Sequence, residues 1–74
     1  MVARDTTTSE GWLAEFCARI GVAPPAPAQV DELLALAATA AHSSERIAAP
    51  LACWAAGVSG RPVEELARIA EEIE

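Results

Sequence analysis

Apolar side chains recur at three- and four-residue spacing in four separate stretches of this 74-residue chain. Strand-like alternation appears nowhere, so the pattern predicts helices alone. The first stretch carries Trp12, Leu13, Phe16, Cys17 and Ile20 on one wide stripe. Thr8 is placed to cap it, with Glu10 near the positive helix end; in a second register Thr7 caps and Glu10 completes a capping box. Gly21 is placed to end it in a left-handed turn. Val22 to Pro27 then reads as a rigid connector, because Pro24, Pro25 and Pro27 restrict themselves and their predecessors.

The second helix is expected from Pro27 or Ala28 to His42. Val30, Leu33, Leu34, Ala37 and Ala41 form its main face, and Leu36 and Ala40 widen it, so this helix should be central. Asp31 and Glu32 are expected in its first turns, where the helix dipole favours anions. Ser43 to Arg46 form the next connection. A third helix is expected from Ala48 or Ala49, with Pro50 in its first turn, where a missing N–H costs nothing. Leu51, Trp54, Ala55 and Val58 are its expected buried face, Ile47 packs just before it, Gly57 offers room for a close helix, and Gly60 ends it. Pro62 opens a fourth helix with Glu64 and Glu65 in its first turn and Val63, Leu66, Ala67, Ala70 and Ile73 facing inward. The expected fold is all-α: a compact four-helix, partly orthogonal bundle over residues 8–74, behind a flexible polar tail at residues 1–7.

Composition changes this picture in one respect. Alanine supplies 18 of the 74 residues, and it favours helix while burying little area. The larger apolar groups are few, and a core this small is marginal alone. Two tryptophans in such a chain, Trp12 and Trp54, are therefore candidate interface residues, and a protein partner or a homo-oligomer is expected.

Charge narrows the partners. The formal net charge is −6 and the five cations are all arginines spread along the chain. Nucleic acid needs clustered cations, and an anionic membrane surface attracts them too, so neither is an expected partner. No apolar run reaches membrane-spanning length, and the opening Met1-Val2-Ala3-Arg4-Asp5 is unlike a signal peptide. A cytoplasmic setting with reduced thiols is the expectation. Cys17 and Cys53 fall on or beside apolar faces, where cysteine behaves as a small hydrophobe. With His42 they lack the local pairing of a zinc site, so no metal and no cofactor is expected.

The densest polar cluster lies between the second and third helices. His42, Ser43, Ser44 and Arg46 there form the candidate ligand-binding set. Two hydroxyls, a guanidinium and the N–H groups opening the third helix suit a phosphate or carboxylate, although Pro50 removes one donor. The plainer alternatives are a His42 that caps carbonyls at a helix end and an Arg46 paired with Glu45, Glu64 or another carboxylate. Ser44, His42 and Glu45 supply the residue types of a hydrolase triad, but neighbours on a short turn seldom converge, and so few residues form little cleft. The chain is not expected to be an enzyme.

The run Leu34-Ala35-Leu36-Ala37, Ala41-His42-Ser43-Ser44-Glu45-Arg46-Ile47-Ala48-Ala49-Pro50-Leu51 and Ala55-Ala56-Gly57 resembles a small bacterial domain of unknown function. That domain occurs alone or fused behind MobA, the nucleotidyltransferase that attaches a guanine nucleotide to molybdopterin. Its hallmark is Ala-His, three residues, Arg, then Ala-Ala-Pro-Leu; Trp12, Cys17 and Gly21 resemble its opening segment. Two departures stand out: Ile47 where the family often has proline, and Ala38-Thr39 where it often has charged residues. The resemblance implies a helical accessory domain connected with molybdenum-cofactor maturation or a molybdoenzyme, with His42 and Arg46 as its functional candidates. The expected function is thus a noncatalytic interaction module. The alternative is a small-ligand binder that holds a phosphate or pterin-phosphate group at the His42–Arg46 turn.

Overall fold

The computed structural model describes Asp5 and residues 7–73. Four helices follow in order: α1 (Ser9–Ile20), α2 (Pro27–Ser43), α3 (Ala48–Ser59) and α4 (Val63–Glu72). No strand occurs among the described residues, and the chain is an all-α, four-helix, bundle-like fold. The expected flexible tail falls largely outside the described residues. Within it, Asp5 accepts hydrogen bonds from the Thr7 N–H at 3.0 Å and from the Thr7 hydroxyl.

Local chemistry sets the helix limits. The Thr8 hydroxyl oxygen accepts the Gly11 N–H at 3.0 Å and so caps α1 in the first of the two expected registers. Gly21 ends α1 at φ 80°, and the Val22 N–H donates to the Cys17 carbonyl at 2.9 Å, a Schellman closure. At α2 the Gln29 side chain accepts the Ala26 N–H at 2.9 Å, a cap that the sequence reading did not foresee. Asp31 and Glu32 lie in the second turn of α2, the first holding no acidic residue, so the dipole favours them weakly. Gly60 ends α3 at φ 70°, and Pro62 stands just before α4.

α2 is the hub, packing against both α3 and α4. No other pair of helices packs comparably. The covered side of α2 carries Leu33, Leu36, Ala37, Ala40 and Ala41. The sequence-expected face shifts slightly: Leu36 is its most deeply buried member, and Leu34 points outward. On α4, Val63, Leu66, Ala67 and Ala70 are covered as expected, whereas Ile73 lies past the helix end and is exposed.

α3 is turned over relative to expectation. Ala48, Ala49, Ala52, Cys53 and Ala56 are its covered residues, while Leu51, Trp54, Ala55 and Val58 are exposed. Ile47 is exposed as well, and nothing lies within 4 Å of a side chain grown from Gly57. The physical reason is the all-round apolarity of α3, which leaves no polar face to point it. An alanine side then allows the closest approach of two backbones. α1 departs in the same direction: Cys17 is buried, but Trp12, Phe16 and Ile20 are exposed.

The result is a very small core. Among the described residues the buried side chains are Cys17 at 6%, Leu36 at 4% and Ala56 at 8% exposure. Both cysteines are free thiols.

Candidate functional site

Two regions compete for the role of site. One is the polar turn between α2 and α3; the other is the set of large apolar side chains left open on α1 and α3.

The turn begins inside α2. The Thr39 hydroxyl donates to the Ala35 carbonyl at 3.1 Å, and the Ser43 hydroxyl to the Thr39 carbonyl at 2.8 Å. Ser43 is thus the last residue of α2 and not part of the connection, with its proton committed to its own helix. Ser44 leaves the helix at φ −141°, ψ −114°. The Ala48 N–H then donates to the Glu45 carbonyl at 2.8 Å, and the Ala49 N–H to the Arg46 carbonyl at 3.2 Å. Pro50 has no N–H to offer. The start of α3 is therefore already satisfied by its own turn, without the free donors that an anion cradle requires.

His42, Ser43, Ser44 and Arg46 are all exposed. His42 and Ser43, with Thr39, line an open hollow of about 390 Å³ closed on the far side by Ala70, Glu71 and Ile73. Ser44 and Arg46 do not line it. Two helix C-termini and one carboxylate meet there, so the partial charges around it are negative and disfavour an anion. The meeting of the ends of α2 and α4 carried no signal in sequence, since Thr39 and Glu71 are far apart along the chain. Arg46 makes no ion pair among the described residues. Glu64, one expected competitor for it, faces Arg68 at 3.5 Å instead.

Two further ion pairs among the described residues also join positions four apart at the surface: Arg19 with Glu15 at 2.8 Å and Arg61 with Glu65 at 3.6 Å. Such pairs are screened by solvent and add little to stability. The Glu15 carboxylate, by hydrogen bond and by charge, raises the pKa of the Arg19 guanidinium. Among the described residues no three His, Cys, Asp or Glu side chains gather where they would hold a metal ion.

The apolar region is more extensive. Trp12 and Phe16 stack on the outside of α1, ring centres 5.2 Å apart and planes 16° from parallel. Ile20 continues their row one turn on. On α3 a second row runs Ile47, Leu51, Trp54, Val58, at spacings of four, three and four residues. That rhythm places them on one side of the helix. Trp12 is 53% exposed and Trp54 70%, so both sequence-nominated interface residues lie open, on two different helices. Of their companions, Leu51 and Val58 lie on the expected buried face of α3, and Phe16 and Ile20 on the apolar stripe of α1. No helix among the described residues is long and apolar enough to cross a membrane, so lipid spanning does not account for these rows.

Residues 4–74 match the model of a family described as a domain of unknown function, DUF6457. No curated protein and no solved structure matches the chain.

Proposed function

The chain belongs to the DUF6457 family, and we propose that it is a noncatalytic helical interaction module. The observation that carries this reading is the placement of large apolar side chains outside and alanines inside. Monomeric proteins seldom leave contiguous apolar patches of this kind open, and where they do the patch is commonly a contact site. Aromatic residues such as Trp12 and Trp54 are the usual anchors of such contacts. The resemblance of the Ala41–Leu51 motif to the accessory domain of MobA adds the setting. In this reading the module serves molybdenum-cofactor maturation or a molybdoenzyme.

Calorimetric titration of the chain against a purified molybdenum-cofactor guanylyltransferase and a purified molybdoenzyme tests it. The expected result is binding to one of them that Trp54→Glu weakens. No heat with either enzyme would remove the molybdenum setting. Turnover of a nucleotide or pterin substrate by the chain alone would remove the noncatalytic role.

One observation favours the second reading, a binder of phosphate or pterin-phosphate: Arg46 is exposed and makes no ion pair among the described residues. A guanidinium in that state is available to an anion. This reading predicts that Arg46→Ala abolishes binding of a pterin phosphate and leaves the helical circular dichroism unchanged. Binding retained in that variant would remove it.

A further inference from the structure

The two apolar rows are of matching kind and lie on separate elements. α1 and α3 have 12 residues each, about 18 Å of helix apiece. Neither row carries a charge, and α3 contains no ionisable side chain except Cys53. Both rows stay largely open within the chain: α1 makes at most a weak contact with any other helix, and the outer side of α3 faces away from α2.

The area left open has a definite size. The chain exposes 5882 Å², whereas a folded monomer of 7.7 kDa exposes about 4,300 Å². Even with about 160 Å² granted to each of the six residues outside the description, as in an extended chain, roughly 600 Å² of surplus remains. A standard stable interface takes about 600–1,000 Å² from each partner. The surplus thus reaches the lower end of what one protomer contributes to a dimer.

We infer that the occupant is a second copy of this chain: α1 of each protomer lies along the Ile47–Val58 row of the other. This deepens the interaction-module reading and rests on it. A foreign helix would cover one row and leave the other open. A two-fold axis covers both rows at once, because each copy supplies the element that the other lacks. The small core points the same way. A chain with three buried side chains among its described residues is marginal alone, and its own copy is present wherever it is made.

The test uses two variants of the full chain, Phe16→Lys on α1 and Trp54→Glu on α3. Sedimentation equilibrium and circular dichroism are read for each alone and for an equimolar mixture. The wild type is expected at twice 7.7 kDa. Each variant alone should dissociate at least about 30-fold more readily, the scale of losing an aromatic anchor. The mixture should recover the dimer mass, since it restores one native α1–α3 contact and sets lysine against glutamate in the other. If the variants unfold alone, recovery of both helicity and dimer mass on mixing supports the pairing equally. A mixture that stays dissociated overturns it, as does a dimer indifferent to both substitutions, although the latter leaves the interaction module standing on another surface. A wild-type monomer at all concentrations overturns the second copy. If that monomer still binds a cofactor-biosynthesis enzyme through Trp54, the module survives without the dimer; if it binds nothing, both fall.

Discussion

α3 and α4 both lie on α2, but they are finished differently. α4 turns Val63, Leu66, Ala67 and Ala70 inward and presents Glu64, Arg68, Glu71 and Glu72 to solvent. The one large apolar side chain it leaves open is Ile69, at 38% exposure. α3 turns alanines and Cys53 inward and presents Leu51, Trp54 and Val58. Its inner side is what lets it sit closely on α2, and its outer side is what remains to be covered. The contrast separates two uses of apolar residues that composition alone merges: small ones that let backbones approach, and large ones that gain most from leaving water.

Substitutions can break or sharpen this contrast. The largest effect is expected at the hub. Leu36→Ala, at the most deeply buried described residue, should lower stability by about 2–5 kcal/mol in thermal melts followed by circular dichroism. Next comes a paired test within α3. Ala56→Leu forces extra atoms into the side that faces α2 and should cost about 1–3 kcal/mol. Ala55→Leu, its exposed neighbour, should change stability by less than about 0.5 kcal/mol. Equal costs at the two positions would mean that α3 does not present these sides as described. On α4, Arg68→Ala should cost no more than about 0.5 kcal/mol in urea titrations, since the pair with Glu64 is exposed.

The smallest effect lies before α1. The Thr7 hydroxyl, then the Thr7 N–H, stabilise the Asp5 carboxylate and hold its pKa below the ordinary aspartate value. The lowered pKa means that any contribution of this turn is present above the unfolded pKa and is lost as pH falls through the folded one. NMR titration of Asp5 should show that midpoint moving up towards the ordinary aspartate value in Thr7→Ala. An unmoved midpoint would show that the turn does not form in solution.

Legibility in the sequence followed the same contrast. The four helices and their ends were readable because caps and stops are local: Thr8, Gly21, Gly60 and Pro62 act within one turn of their own position. The inward face of α4 was readable because charge on one side leaves only the other to bury. The inward face of α3 was not, because every side of it is apolar and size alone suggested that Leu51 and Trp54 went inside. For the turn between α2 and α3, residue types pointed to Ser43 and the start of α3 as donors. Backbone geometry commits them elsewhere: the Ser43 hydroxyl to the Thr39 carbonyl and the Ala48 N–H to the Glu45 carbonyl. Such commitments depend on the exact path of the chain, which residue types do not encode.

The placement of the two indoles has a consequence for optical work on this protein. Both are on the outside, Trp12 against Phe16 and Trp54 in the open row of α3. Tryptophan emission shifts to the blue when water is removed from the ring. In this chain the indoles are already wet while the helices are intact, so melting α2 away from its neighbours changes their surroundings little. Covering α1 or α3 changes them greatly. Intrinsic fluorescence will therefore be a poor thermometer of unfolding and a sensitive gauge of docking, and a denaturation curve taken at the emission maximum will trace the loss of cover before the loss of helix.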